Sequence, residues 1–247
     1  GNYLIGKYIS KHSNAKVIFN GDGSDELTGG YIYFLKTPDD LEFDKECRRL
    51  LKDIHLFDVL RSDKSISSNG LEPRTPFLDR EFVDYYLSIP ISIRNPMSNA
   101  SYVLNSKCCE KLLLRQAFSI IEPTLLPSDI IWRTKEAFSD GVSGSDGSWY
   151  EIIDREISKR NDYEKPYSNN RKILLDKINK PSTREQQYYR DIYDEAYPNT
   201  AYIVPYFWMP KYVNAVDSSA RTLDFYNERN NNKSTTQQIE SKINISL

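Results

Sequence analysis

Residues 17–26, Val-Ile-Phe-Asn-Gly-Asp-Gly-Ser-Asp-Glu, constrain the fold of this chain more than any other stretch. The three apolar residues predict a buried strand, and the Ser-Asp-Glu is typical of the start of a helix. Between them, two glycines flank Asp22. Because glycine lets the backbone approach a ligand at the carboxyl end of a strand, the pattern indicates a ligand-binding turn in an α/β fold. A tight turn with acidic helix capping fits these ten residues equally well.

The residues that follow favour the ligand-binding interpretation. A second glycine pair, Gly29 and Gly30, ends a short predicted helix and leads into an aromatic run at residues 31–34. Glycine loses more conformational freedom on folding than any other residue, so two pairs in close succession are costly. We therefore expect this segment to form the shaped wall of a pocket.

Apolar periodicity predicts mainly helices, with at most one or two strands. A long amphipathic helix is expected from Asp40 to Leu60, then an extended loop at residues 69–76 and a helix capped by Asp79. The other predicted elements are a helix at 3–9, a strand at 16–19, and helices at 107–118, 128–132, 148–160 and 182–197, the last opened by Ser182 or Thr183.

The composition excludes several classes of protein. The 33 basic and 35 acidic residues give no electrostatic case for binding nucleic acid or an anionic membrane surface. No run approaches the roughly 20 apolar residues of a membrane-spanning helix. The three cysteines form neither a disulfide framework nor a zinc pattern, so we expect free thiols in a cytoplasmic protein. With only two histidines, imidazole catalysis is nearly excluded.

Four separated motifs, in the same order, resemble the synthetase domain of glutamine-dependent asparagine synthetases. They are residues 20–26 (Asn-Gly-Asp-Gly-Ser-Asp-Glu), 70–79 (Gly-Leu-Glu-Pro-Arg-Thr-Pro-Phe-Leu-Asp), 132–141 (Trp-Arg-Thr-Lys-Glu-Ala-Phe-Ser-Asp-Gly), and the pair 206–211 and 217–221. The family's first motif is Ser-Gly-Glu-Gly-Ser-Asp-Glu. Asn20 therefore replaces a serine, and Asp22 replaces a glutamate.

The resemblance implies a particular fold and position in the enzyme. In the family, a glutaminase with a nucleophilic cysteine precedes a synthetase domain that opens with a Ser-Gly-Gly-x-Asp-Ser pyrophosphate loop, and this sequence contains neither signature. We therefore expect a mostly α chain that forms the carboxy-terminal portion of an α/β, adenine-nucleotide α-hydrolase-like synthetase domain of the ATP-pyrophosphatase type. The sheet partners of its strand are expected in the missing amino-terminal part. Residues 1–226 are assigned to this domain and 227–247 to a polar, disordered tail.

The reaction implied by the resemblance has two steps. The side-chain carboxylate of aspartate attacks the α-phosphorus of ATP, and ammonia derived from glutamine then displaces AMP from β-aspartyl-AMP to give asparagine. Because the first step joins an anion to a polyanion, it requires Mg²⁺ and fixed cations that neutralise the developing charge. The isolated chain is expected to be inactive without the glutaminase and the pyrophosphate loop, and assembly into a homo-oligomer is left open.

The resemblance assigns roles to five residues. Lys135 is the expected catalytic cation at the α-phosphate, with a solvated surface charge as the alternative. Asp22 takes the position of the catalytic glutamate with a reach shorter by about 1.5 Å, and a turn aspartate is the alternative. Asn20 and Gly21 match the pair that contacts the nucleotide. Arg61 matches an arginine near the reacting phosphate, or else it complements the carboxyl end of the long predicted helix.

Asp25 is expected to help hold magnesium together with an aspartate of the missing loop, or to cap the helix. Arg74 and Asp79 are expected to brace the site structurally. Two other interpretations remain open. A relative such as β-lactam synthetase shares the fold and the lysine, although the matches around Arg74 and at 209–211 favour asparagine synthetase. A non-catalytic helical interaction module is the alternative from a different class.

Overall fold

The computed structural model of this chain describes residues 1–102, 108–142, 149–160, 179–215, 217–220 and 223. The chain divides into two compact units, Gly1–Lys135 and Glu136–Leu247, which are described separately below. The predicted tail at 227–247 lies outside the described residues, as do the predicted helix starts at 107 and 148. Among the described helices, none combines the length and apolar character needed to cross a membrane.

The described part of the chain is mostly helical, as predicted. In the first unit the helices are α1 Asn2–His12, α2 Ser24–Thr28, α3 Asp40–Asp53, α4 Asp58–Ser67, α5 Arg80–Ser88, α6 Ile91–Arg94, α7 Pro96–Tyr102, α8 Leu112–Ile121 and α9 Ser128–Ile131, with 3-10 turns at Ile32–Lys36, Ile54–Leu56 and Pro76–Leu78. The helices of the second unit are α10 Phe138–Gly141, α11 Trp149–Ser158 and α12 Arg184–Ala196, with a 3-10 turn at Ala201–Ile203.

Two short parallel strands form the sheet of the described residues. β1 (Val17–Phe19) pairs with β2 (Glu72–Arg74). β2 lies where an extended loop was predicted, and it gives β1 a partner within the chain, so the expectation of upstream partners alone is wrong. Proline lacks an N–H, but Pro73 is tolerated because the residues on either side of it, Glu72 and Arg74, make hydrogen bonds to the residues that flank β1. The Glu72 N–H donates to the carbonyl of Lys16, and the Asn20 N–H donates to that of Arg74.

The prediction that β1 is buried is wrong. Val17 is 49% exposed and Phe19 is 79% exposed. Alternate residues of a strand share one face, so these two side chains lie together on a face that the described residues leave open. Ile18, on the opposite face, is half-buried.

The single long helix predicted at residues 40–60 is two helices, α3 and α4. Phe57 has φ −124° and ψ −101°, outside the helical region, and the turn Ile54–Leu56 precedes it. Apolar residues keep a three- to four-residue spacing through this turn, which explains why the periodicity did not reveal the break. Asp58 then lies in the first turn of α4, where a carboxylate is favourable.

The core of the first unit forms where α2 packs against α3. Leu27, Phe34 and Phe43 are fully buried there. Gly29 ends α2 with φ +63°, a backbone conformation that favours glycine. A Cβ at this position would also lie 2.4 Å from the Phe43 ring, so the packing requires glycine as well. Most of the aromatic run at 31–34 is buried in this core, and its expected role as a pocket wall stays a prediction.

Two predicted helix caps are confirmed. The side chain of Asp79 accepts a hydrogen bond from the Phe82 N–H at 3.0 Å and caps α5. Thr183, rather than Ser182, caps α12 and accepts from the Gln186 N–H at 3.1 Å. Both side chains satisfy amide groups that have no partner within the helix.

Candidate active site

The first two motifs meet through the sheet. Asn20 follows β1, and its N–H bonds to the carbonyl of Arg74 in β2 at 2.9 Å. Gly23 has φ +89°, and a Cβ there would lie 2.3 Å from the Leu78 side chain. Glycine therefore allows the second motif to pack directly against the turn of the first. Arg74 itself pairs with Glu72 at the surface.

Asp22 is held in this turn by hydrogen bonds. Its N–H donates to Asn20 Oδ1 at 3.1 Å, as in an Asx turn. Its carboxylate accepts a hydrogen bond from the hydroxyl of Ser62, a buried residue of α4. Burial raises the pKa of the Asp22 carboxyl above its ordinary value, and the bond from Ser62 opposes this rise. The side chain of Asn20 thus helps to fix the conformation of the turn to which it belongs.

Arg61 lies on the same helix as Ser62, in the middle of α4 rather than at a carboxyl end. The alternative role as a charge at the end of a long helix is therefore wrong. Its guanidinium pairs with Asp58 and is 61% exposed. Two charges on α4 have smaller effects on the pKa of Asp22 than burial and the Ser62 bond have. The charge of Asp58 raises this pKa, and that of Arg61 lowers it. Asp58, Arg61 and Ser62, all on α4, thus act on Asp22.

Gly21 leaves this turn open on one side. Apart from its chain neighbours Asn20 and Asp22, no described residue has an atom within 4 Å of the position that a Cβ would take there. The residue is also exposed. A ligand can therefore approach the backbone of the turn at Gly21 without displacing a side chain.

Asp25 and two lysines form a compact ionic cluster beside the turn, which we call the Asp25 cluster. Lys135 Nζ lies 3.1 Å from Asp25 Oδ2, and Lys111 Nζ lies 2.9 Å from Oδ1. Lys111 also donates to the hydroxyl of Ser24 at 2.9 Å. Burial alone would raise the pKa of Asp25, but the two ammonium groups outweigh it and hold this pKa below its ordinary value. The carboxylate is therefore ionised between two cations.

Lys111 is the member of the cluster that sequence reasoning missed. It precedes an apolar helix, a setting in which a lysine gives no signal of a site. Its backbone has φ +57°, in the left-handed region that non-glycine residues rarely occupy. A Cβ at Gly30 would lie 2.1 Å from Asp25 Oδ1 and 2.3 Å from Lys111 Cε. Gly30 therefore provides the space in which Asp25 and Lys111 meet.

The surroundings of Asp25 do not suit a magnesium ion. Mg²⁺ prefers several oxygen ligands in near-octahedral geometry, whereas both oxygens of this carboxylate face ammonium groups. Within the part of the chain that the structure describes, no group of three or more His, Cys, Asp or Glu residues is arranged to hold a metal. A metal role for Asp25 remains a prediction that this arrangement does not support.

A second buried carboxyl group lies one residue further along α2. Glu26 is 4% exposed and accepts a hydrogen bond from the Tyr31 hydroxyl at 2.6 Å. Burial raises the pKa of Glu26 to about 7. In the sequence this glutamate is indistinguishable from an acidic residue of a helix start, so its burial could not be foreseen.

In the second unit, the structure joins residues of the third and fourth motifs. The hydroxyl of Ser219 donates to Asp140 Oδ1 at 2.8 Å, and both residues are buried. The Ser219 N–H donates to Asp217 at 2.7 Å. These bonds link Asp140 of the third motif to residues of the fourth inside this unit.

Comparison with known proteins shows extensive similarity to one family. The asparagine synthase family model matches residues 35–202. The glutamine-hydrolysing asparagine synthetase of Gallus gallus is 45% identical over 232 residues, which are 92% of this chain and 38% of the relative. Those of Cricetulus griseus and Homo sapiens are 45% and 43% identical over 226 residues, with the same coverage. The chain thus spans 38% of the length of these curated relatives.

These similarities place the chain in a family of ligase-type enzymes. The chain belongs to the asparagine synthase family. The resemblance drawn from the four motifs is therefore confirmed. The roles of the individual residues do not follow from membership and are argued separately below.

Proposed function

We propose that this chain forms the carboxy-terminal portion of the synthetase domain of a glutamine-hydrolysing asparagine synthetase. The domain, residues 1–226 with a polar tail at 227–247, would belong to the adenine-nucleotide α-hydrolase-like type. The two parallel strands are consistent with a part of such a sheet. The exposed face of Val17 and Phe19 supports further packing partners for it.

The proposed reaction proceeds through an adenylate. A carboxylate oxygen of aspartate attacks the α-phosphorus of ATP, and the bond to pyrophosphate breaks. The nitrogen of ammonia then attacks the β-carbonyl carbon, AMP leaves, and the nitrogen loses a proton. The first step concentrates negative charge on phosphate oxygens, so fixed cations accelerate it most.

The Asp25 cluster is the observation that carries this proposal. Two ammonium groups and one carboxylate leave a net positive charge at the edge of the glycine turn. The three side chains are 17–23% exposed, so they meet solvent but are partly shielded from it. A polyphosphate would compete with Asp25 for both lysines. Lys135 would then contact the α-phosphate, and Lys111 would contact the pyrophosphate end.

Asp22 is proposed to act on the attacking amine. Its raised pKa makes it a better proton acceptor than an ordinary aspartate, and Ser62 fixes its orientation. Asn20 and Gly21 would contact the nucleotide along the open side of the turn. Arg61, exposed on α4, would face the phosphates from the side of Asp22. Because the described residues form no Mg²⁺ site, no step of this mechanism is assigned to the metal.

A polypeptide limited to these 247 residues is proposed to lack this activity, since no Ser-Gly-Gly-x-Asp-Ser motif occurs among them. Aspartate, ATP and ammonia are therefore proposed as substrates of the complete natural protein that carries the chain. A β-lactam synthetase-like activity is disfavoured, because the relatives cited above are all asparagine synthetases.

The experiment uses the complete protein with ATP, ammonium and aspartate labelled with ¹⁸O in its side-chain carboxylate. Adenylation predicts one ¹⁸O atom in the AMP released, together with stoichiometric asparagine. Unlabelled AMP would contradict the adenylate. Absence of any aspartate-dependent AMP would favour a non-catalytic module. The 247-residue polypeptide is assayed in parallel, and activity in it would show that these residues are sufficient.

A further inference from the structure

Glu110 is a buried carboxylate that lies beside the Asp25 cluster without belonging to it. It is 0% exposed. Its Oε1 atom accepts a hydrogen bond from the backbone N–H of Lys135 at 2.8 Å. The same oxygen accepts from Arg115 at 3.0 Å. A buried charge is tolerated only when it is paired, and here the pairing reaches the backbone of the proposed catalytic lysine.

Arg115 extends this contact to the start of the segment that carries Lys135. One nitrogen of its guanidinium donates to the carbonyl of Ile131, and Nε donates to the Glu110 carbonyl at 2.8 Å. The side chain is 13% exposed. Ile131 is the last residue of α9, and the chain between it and Phe138 has no regular secondary structure. Glu110 and Arg115 together thus bind segment 131–135 at both ends.

We propose that Glu110 and Arg115 are positioning residues that hold Lys135 for the reaction. This inference rests on the proposed function, in which Lys135 contacts the reacting phosphate. A loop without helix or strand bonds depends on side chains to fix its backbone. The rotatable bonds of lysine leave its ammonium group with many accessible positions, and a fixed backbone reduces their number. A misplacement of about 1 Å at the reacting centre can lower a rate substantially.

The neighbouring residue strengthens the assignment. Lys111 follows Glu110 directly and adopts the left-handed conformation at the start of α8. This turn directs the Glu110 side chain to the backbone of Lys135 and the Lys111 side chain to Asp25. Strained backbone of this kind persists where the surrounding structure determines it, often at functional sites. One turn therefore positions both cations of the Asp25 cluster.

The test replaces both partners together, because removing one alone would leave a buried charge unpaired and strongly destabilise the fold. The double variant Glu110→Leu and Arg115→Met fills a similar volume with apolar side chains. Replacing a buried ion pair in this way often changes the free energy of unfolding very little. The complete natural protein carries the change, and Glu42→Gln, which alters an exposed ion pair with Lys45, is the matched control. Melting temperature, hydrogen exchange of the Lys135 amide, and kcat and KM for aspartate-dependent ATP–pyrophosphate exchange are measured.

We expect faster exchange at the Lys135 amide and a kcat lower by about 10-fold or more, with KM for ATP changed less than threefold. In a Lys135→Ala background the double replacement should lower kcat no further, because its effect acts through Lys135. A purely structural role would lower kcat by the same factor in both backgrounds, and that result, or unchanged amide exchange, would overturn the inference. Faster amide exchange with full activity in Lys135→Ala would instead overturn the proposed function.

Discussion

The ammonium group of Lys135 lies 3.1 Å from the carboxylate of Asp25, although the two residues belong to motifs far apart in the sequence. Lys111 reaches the other oxygen of the same carboxylate at 2.9 Å. A carboxylate between two lysines keeps their repulsion low while the site is empty of phosphate. The two lysines are thus in place before an anionic ligand binds, and the ligand only has to replace Asp25 as the partner of each ammonium group. The site is preorganised in this sense.

Removing the charge of Asp25 should therefore destabilise the protein. Asp25→Asn leaves two ammonium groups close together and partly buried, so we expect a loss of about 3 kcal/mol in the free energy of unfolding at pH 7. Asp53→Asn, which weakens a 3.9 Å contact with Arg49, is the control and should lose less than about 1 kcal/mol. Urea unfolding provides both values, and equal losses would contradict the cluster.

The loss of stability caused by Asp25→Asn should depend on pH. Because the pKa of Asp25 is lower in the folded state than its ordinary value of 3.8, its contribution to stability is present above that value. The contribution is lost as the pH falls through the folded-state pKa. The difference in unfolding free energy between parent and Asp25→Asn should thus be constant from pH 5 to 7 and shrink in stronger acid. A difference that grows in acid would give the opposite sign.

Any side chain at Gly30 should lower the stability of the protein. In Gly30→Ala the methyl group would lie 2.1 Å from Asp25 Oδ1, 2.3 Å from Lys111 Cε and 2.9 Å from the Asp25 backbone. Because the backbone cannot move as a side chain can, we expect a loss of about 1–3 kcal/mol in stability and a clear fall in kcat. Gly21→Ala is the control for stability, since no described residue other than its two chain neighbours has an atom within 4 Å of its methyl position. Equal stability of the two variants would contradict the close approach.

Glu26 should make stability depend on pH near neutrality. Its pKa is about 7 in the folded state against 4.5 ordinarily, so its contribution is fully present below pH 4.5 and lost as the pH rises through 7. Glu26→Gln keeps an acceptor for the Tyr31 hydroxyl but cannot ionise. At pH 8 we expect this variant to be more stable than the parent by up to roughly 3 kcal/mol, with the advantage absent at pH 4.5. Denaturant unfolding at both pH values checks this, and a pH-independent difference would contradict it.

Substitutions at Asp22 separate a catalytic carboxylate from a turn aspartate. Asp22→Ala should abolish adenylate formation, and full activity in this variant would remove the residue from the mechanism. Asp22→Glu lengthens the side chain by about 1.5 Å toward the buried hydroxyl of Ser62, so a modest loss is expected. Adenylation by Asp22→Glu at or above the parent rate would show that the turn is not adjusted to the shorter carboxylate.

The sequence predicted the local features of this structure better than the long-range ones. The caps at Asp79 and Thr183 and the glycine end of α2 follow from short-range rules and are confirmed. The exposure of Phe19 was not predicted, because three consecutive apolar residues indicate a buried strand but do not show which part of the protein would cover it. The strand at Glu72–Arg74 was missed because Pro73 disfavours a strand when its bonding partners are unknown.

The candidate site shows the same division. A motif identified Lys135 as a candidate, but the meeting of Lys111, Asp25 and Lys135 depends on how three distant segments pack. Lys111 and Glu110 stand at the start of an ordinary apolar helix, where charged residues usually face solvent. Only the left-handed turn at Lys111, which the sequence does not indicate, directs both side chains inward.

The most direct measurement of the central claim is aspartate-dependent ATP–pyrophosphate exchange by the complete natural protein with Lys135→Ala. The control is Lys159→Ala, which removes a lysine from an exposed ion pair with Glu156. Removing one electrostatic stabiliser of a transition state typically lowers the rate at least about 10²-fold, and that loss is expected for Lys135→Ala while Lys159→Ala stays within about twofold of the parent. Exchange by Lys135→Ala at the parent rate would contradict the assignment of this site to adenylation.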